Sequence, residues 1–196
     1  MGKRPTLVVI AGPNGSGKST TAPVLLRDTL AVSEFVNADR IASGLSEFNP
    51  EGVAFAAGRL LLRRVHELAH RRVDFAFEST LSSRSFVPFL AAARSDGYRV
   101  HLIYLWLASP ALAIARVARR VREGGHPVAD EIVARRYRRS LANFFGLYQP
   151  LADTWRIYDN SGEFAPRLVA SGSRRRTLKV HDRPLWQSIR TAVHEA

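Results

Sequence analysis

Gly12-Pro13-Asn14-Gly15-Ser16-Gly17-Lys18-Ser19-Thr20 is the stretch on which the reading of this chain turns. It satisfies the spacing G-x-x-x-x-G-K-[ST] in full. Glycines let the backbone turn tightly enough for successive N–H groups to point at phosphate oxygens. A helix opening at the lysine adds the positive end of its dipole. In such a loop Lys18 reaches the β- and γ-phosphates and the Ser19 hydroxyl ligates Mg²⁺, while Gly12, Pro13, Asn14, Gly15, Ser16, Gly17 and Thr20 complete the cradle. The implied cofactors are ATP and Mg²⁺. The flanks agree: the apolar run Leu7-Val8-Val9-Ile10 enters the loop and a helical pattern leaves it.

Outward from the loop, short apolar runs alternate with longer helical patterns, which predicts βαβ units and a parallel sheet. Strands are expected at Thr6 to Ala11, Glu34 to Asn37, Asp74 to Glu78, Val100 to Leu107 and Trp155 to Tyr158. Helices are expected over Lys18 to Thr29, Pro50 to Arg72, Ser85 to Asp96, Pro110 to Glu123 and Val128 to Phe145. The fold class is therefore α/β: a P-loop NTPase three-layer sandwich around a five-stranded, mostly parallel sheet. One kinase-sized domain is expected over residues 1–196. Within it, 109–150 reads as an Arg-rich helical lid with Gly124-Gly125 as its hinge. Residues 166–196 read as a C-terminal extension, a hairpin of Arg167 to Ala170 with Thr177 to Val180 and then a helix from Pro184.

The formal net charge is +12, and only Lys3, Lys18 and Lys179 among the 29 basic residues are lysines. Three readings compete for that charge: a nucleic-acid surface, a set of phosphate clamps, or a general preference for arginine in the source proteome. The chain has no cysteine, which excludes disulfides and cysteine-ligated zinc and points to the cytoplasm. The longest apolar stretch, Leu102 to Ala118, is broken by Ser109-Pro110 and Arg116, so no membrane span is expected.

Asp39 follows the second strand, on the edge where parallel strands deliver residues to a crevice. A carboxylate there can take the proton of an attacking hydroxyl. It could equally cap a short helix starting at Arg40. Glu78 and Thr80 close the third strand on the same edge. Glu78 suits acceptor hydroxyls or water-mediated Mg²⁺ binding; a plain strand end is the alternative. Arg116, Arg119, Arg120 and Arg122 share one helix and Arg135, Arg136, Arg138 and Arg139 the next. Arginines closing over a transferring phosphoryl group stabilise its developing charge, although about half of these eight are expected on a solvated face. Asp159-Asn160-Ser161 follows the fifth strand and is either a border for the nucleotide base or an Asx turn.

Six segments together resemble the zeta-toxin family of P-loop kinases, in its shorter branch. They are GPNGSGKST, VNADRIA (Val36 to Ala42), FEST (Phe77 to Thr80), RVREGGHPV (Arg120 to Val128), RRYRRSLANF (Arg135 to Phe144) and YDNS (Tyr158 to Ser161), and they cover roughly residues 5 to 165. The resemblance implies a kinase that passes the γ-phosphate of ATP to a hydroxyl of a small molecule, in well-studied relatives UDP-N-acetylglucosamine. It also implies an antitoxin protein as partner. It makes Asp39 the catalytic aspartate, with Arg40, Glu78 and Thr80 on the acceptor side. Arg120, Arg135 and Arg136 become the candidate transition-state arginines, with His126 nearby on the acceptor side, and Asn160 a nucleotide contact. A nucleic-acid end kinase or RNA phosphotransferase, and a nucleotide switch without acceptor chemistry, stand as the rival functions.

Overall fold

The computed structural model describes residues 4–24, 26, 32, 34–46 and 52–194. Seven strands form one sheet in the order β2-β3-β1-β4-β5-β6-β7. They are β1 (Thr6–Ala11), β2 (Glu34–Val36), β3 (Phe75–Ser79), β4 (Arg99–Trp106), β5 (Thr154–Asp159), β6 (Arg167–Ser173) and β7 (Arg176–Val180). The first five run parallel, whereas β6 and β7 are antiparallel. The expected five strands are thus corrected to seven, because the C-terminal hairpin joins the main sheet instead of standing apart. The free edge of β5 would otherwise leave backbone N–H and C=O groups unpaired, and β6 satisfies them. Gly172 permits the join: a Cβ there would sit 2.4 Å from the Trp155 ring and 2.1 Å from the Arg176 carbonyl oxygen.

The helices are α1 (Lys18–Val24), α2 (Ala38–Leu45), α3 (Ala54–His70), α4 (Phe86–Ser95), α5 (Pro110–Arg122), α6 (Asp130–Asn143) and α7 (Arg183–His194). A π-helical turn, Phe144–Tyr148, continues α6. The expected continuation of the first helix toward Thr29, and the expected start of the next at Pro50, fall outside the described residues. No helix among those described is long and apolar enough to cross a membrane.

Alternation along the strands sends side chains to two cores. On one face Leu7, Val9, Phe77, Leu102 and Tyr104 pack with Leu61 and Val65 of α3, Phe89 of α4, Leu141 of α6 and Ile189 of α7. On the other, Val8, Ile10, Ala76 and Ile103 pack with Ala22 of α1 and with Leu26 and Val32. A third cluster of Leu107, Ala113, Val117, Val133 and Tyr137 holds α5 and α6 together. Tyr137 donates to the Leu107 carbonyl at 2.6 Å, and burial pushes its phenol up to about 12. The Tyr104 and Ser140 hydroxyls meet at 2.9 Å. Buried bonds of this kind are worth about 1 kcal/mol each, so α6 is docked on the sheet end.

The strand order reverses direction about β1, with β3 on one side and β4 on the other. Open α/β sheets place their ligand crevice at the carboxyl ends of the strands at such a switch point.

Candidate active site

The loop from Gly12 to Lys18 leaves β1 at that switch point and turns into α1. Its geometry explains its glycines. Gly12, Gly15 and Gly17 have φ of 144°, 75° and 81°, a region that side-chain-bearing residues avoid. A Cβ on Gly12 would meet the Leu105 carbonyl oxygen at 2.4 Å, and one on Gly17 would meet Asn160 Nδ2 at 2.5 Å.

Lys18 donates to the carbonyls of Gly12 (3.0 Å) and Pro13 (2.9 Å). Burial lowers the pKa of its ammonium, Glu78 and Asp39 work against that shift, and Arg120 and Arg136 add to it. The Ser19 hydroxyl donates to Glu78 Oε2 at 3.0 Å and accepts from Asn37 Nδ2 at 3.2 Å. Glu78 is 8% exposed, and its second oxygen, Oε1, is buried without a hydrogen-bond partner. Burial raises the Glu78 pKa, with Lys18 the strongest opposing influence. Asn14 Oδ1, Ser16 Oγ and Arg120 Nε are likewise buried and unpartnered. An unsatisfied buried polar atom costs about 1–3 kcal/mol, and four of them around one loop are the mark of a site whose partners come with a ligand. A Mg²⁺-nucleotide fits this set. Ser19 Oγ would hold the metal directly and Glu78 would hold it through water, as suits an ion that dehydrates reluctantly.

Asn37 belongs to this cluster, although the sequence pattern alone did not single it out. It caps α2, its Oδ1 accepting from the backbone of Asp39 (2.8 Å) and Arg40 (3.2 Å). The capping alternative for Asp39 is therefore corrected: Asp39 lies inside the first turn, where its charge favours the helix dipole, and its carboxylate is free of capping duty. One signal was available, since Asn is as good a cap as Asp and stands at the end of the expected strand. Because the other end of the Asn37 amide holds Ser19, one side chain ties the start of α2 to the phosphate loop.

Asp39 is exposed and faces Arg120, with 3.8 Å between Oδ2 and Nη1. Arg120 also donates to the His126 carbonyl at 2.8 Å. His126 Nε2 lies 2.7 Å from Ser43 Oγ, one turn along α2 from Asp39. Arg136 is half-buried; burial lowers its pKa and Asp39 opposes the shift, which places the two in electrostatic reach. Arg135 is exposed on α6, and Arg40 and Thr20 are exposed on α2 and α1. The structure therefore brings Lys18, Ser19, Asn37, Asp39, Glu78, Arg120 and Arg136 together and leaves Arg135 outward.

Gly124-Gly125 terminates α5. Gly125 N–H donates to the Arg120 carbonyl and Gly124 N–H to that of Val121, a Schellman cap with Gly124 at φ 88°. A capping role thus occupies the pair read as a hinge.

Thr80 Oγ1 contacts Ser82 Oγ at 2.8 Å. Between them Leu81 is buried at φ 54°, a costly conformation for a branched side chain, with its carbonyl held by Asn143 of α6 at 2.7 Å. Asn160 donates to the Ser16 carbonyl at 2.8 Å, so the turn after β5 borders the loop. Arg116 fixes that turn by donating to the carbonyls of Asn160 (2.6 Å), Ser161 (3.1 Å) and Gly162 (2.9 Å).

Comparison with known proteins matches residues 1–165 to the family model described as Zeta toxin. An uncharacterized protein of Haemophilus influenzae is 34% identical over 130 residues, which make up 66% of this chain and 91% of that protein. Among solved structures, the AvrRxo1-ORF1:-ORF2 complex with ATP superposes with a TM-score of 0.76 at 20% identity over 96% of this chain. This chain spans 64% of that one. The PezAT toxin–antitoxin system of Streptococcus pneumoniae superposes with a TM-score of 0.70 at 15% identity, over 99% of this chain and 88% of that one.

Proposed function

From the premise that the chain belongs to the zeta-toxin family, we propose that it transfers the γ-phosphate of ATP to a hydroxyl of a small molecule, with a UDP-amino sugar such as UDP-N-acetylglucosamine as the acceptor. One observation carries the reading: a carboxylate not used as a helix cap, Asp39, stands 3.8 Å from Arg120 beside the phosphate loop. A carboxylate so placed can take the proton of an attacking hydroxyl.

In this account Asp39 Oδ2 accepts the proton of the acceptor hydroxyl as its oxygen attacks phosphorus in line. Lys18, Arg120 and Arg136 stabilise the negative charge that spreads over the transferring oxygens. Ser19 would hold Mg²⁺ together with ATP, and the ion would supply charge neutralisation. Glu78 positions the Ser19 hydroxyl, and the Asn37 amide sets the distance between Ser19 and the base. Asn160 and the turn held by Arg116 border the nucleotide. Arg40, Thr80 and His126 line the acceptor side; Arg135, outward in this conformation, joins only if α6 turns inward.

The AvrRxo1 and PezAT structures each pair a chain of this fold with a second protein. We propose an antitoxin-like partner here also. The cytoplasm is the expected compartment, where both ATP and nucleotide sugars are found. The test is direct: purified protein with ATP and Mg²⁺ is offered a panel of UDP-sugars and products are read by mass spectrometry. A panel without a single phosphorylated sugar defeats the acceptor assignment.

A further inference from the structure

The family match ends at residue 165, yet the hairpin beyond it extends the sheet and leaves one of its faces open. On one side α7 packs through Ile189 against Trp155, Val169 and Ala170. On the other side Tyr158 of β5 packs against the core under α1, and the face beyond it, from Thr154 and Arg156 across to β7, is exposed or half-exposed. Register identifies what that open face carries. Ile103, which points to the α1 side, pairs with Arg156, Arg156 with Ser171, and Ser171 with Lys179. Ser173 pairs with Arg176, and Thr154 lies two residues from Arg156 on the same face. Arg156, Arg176 and Lys179 are all exposed.

The row continues inward. His101 pairs with Thr154, and the charges that perturb it include Arg99 and Arg156, with Asp153 as the single acid. Residues 166–196 hold seven arginines and lysines against two acids, Asp182 and Glu195. Of these, Asp182 faces Arg167 at 3.8 Å.

We propose that the open face of β5, β6 and β7 binds the phosphate backbone of nucleic acid, independently of base sequence, at a site separate from the phosphate loop. The cations stand on alternate strands, about 10 Å apart from β5 to β7, with only small hydroxyl side chains between them. Arginine, lysine, serine and threonine are the usual phosphate contacts, and a flat face lets a backbone approach all of them at once. A protein partner would instead look for an aromatic or aliphatic anchor pocket. The only large exposed hydrophobic residue on these strands is Leu178, at the bulge of β7. The loop site lies at the carboxyl end of β1, whereas Arg156 is in mid-strand, so the two ligands do not compete.

The test is fluorescence anisotropy with a labelled mixed-sequence oligoribonucleotide and a DNA duplex, titrated over a range of NaCl. Wild type is expected to bind with a log–log salt slope set by the phosphates contacted. The triple variant Arg156→Ser, Arg176→Ser, Lys179→Ser should lose at least about tenfold in affinity and about 2 to 3 in slope. A control triple of exposed residues elsewhere, Arg63→Ser, Arg71→Ser, Arg84→Ser, removes equal charge and should keep most of the affinity. Binding of a fluorescent ATP analogue should be unchanged in the first triple. If that triple melts below wild type, Lys179→Glu at the sheet edge gives the same reading with a smaller loss. Equal losses in the two triples, or no binding at physiological salt, overturn the proposal. Displacement of the RNA by polyglutamate at matched charge overturns it too, in favour of an acidic protein partner.

Discussion

Gly125 leaves the space through which Arg120 passes: a Cβ there would lie 2.6 Å from Arg120 Cγ and 2.9 Å from its carbonyl oxygen. The helix cap and the placement of Arg120, the arginine proposed to stabilise the transition state, are therefore one feature. Gly125→Ala should push Arg120 away from Asp39 and lower kcat by about 10- to 100-fold, the usual cost of displacing a catalytic group by an ångström or so. The KM for ATP should move little, because the phosphate loop is untouched. Steady-state kinetics beside a melting curve check this, and an unchanged kcat would separate Gly125 from the chemistry.

Glu78 is held at a cost. Its folded pKa is raised by burial, so the folded state binds its proton more readily than the unfolded state does. That penalty is absent below the ordinary carboxylate range and grows as pH rises through the window up to the raised folded pKa. Above the window it is felt in full. Glu78→Gln should therefore raise the melting temperature of the ligand-free protein at pH 7.5 by about 2–4 °C per kcal/mol relieved, and by nothing at low pH. The same variant should weaken Mg²⁺-dependent stabilisation by ATP. A variant less stable than wild type at neutral pH would contradict this account.

Arg116 and Arg120 lie four residues apart on one helix, and periodicity alone gives them the same duty. The structure divides them. Arg116 grips the carbonyls after β5, whereas Arg120 reaches Asp39, the proposed base. Arg116→Ala should raise the KM for ATP about tenfold, the worth of a hydrogen bond to a charged group, and leave kcat at saturating ATP close to wild type. Arg120→Ala should do the reverse.

What the sequence made legible follows from how local each signal is. The span of β1 was readable because an apolar run sits between Pro5 and the glycine loop. The phosphate loop was readable because its motif states backbone geometry outright. Asn37 was not, because in Asn-Ala-Asp either polar residue could cap the helix, and only the fold brings its amide to Ser19 across 18 positions. The outward position of Arg135 and the inward one of Arg136 depend on how Tyr137 docks on Leu107. That is a tertiary contact with no local trace.

The pairing of β6 with β5 was hidden for the same reason, since strand partners are chosen across the chain. It has a sharp dependence on one atom position. Gly172→Ala should cost about 3 kcal/mol, since a methyl would collide with Trp155 and with the Arg176 backbone. Thermal melting should fall by about 6–12 °C, with loss of Trp fluorescence structure. A melting point within a degree of wild type would mean that the hairpin does not seat on β5 as described.

The central claim is that Asp39 acts as a base toward an alcohol beside an ATP-binding loop. It is tested most directly by profiling metabolites after expression of wild type, Lys18→Ala and Asp39→Asn, with ATP binding measured on each purified protein. The account predicts one new phosphate ester with wild type, most simply a phosphorylated UDP-amino sugar. The ester should be absent with Lys18→Ala and reduced by about 10²- to 10⁴-fold with Asp39→Asn, although Asp39→Asn still binds ATP. Product formed at the wild-type rate by Asp39→Asn would contradict it.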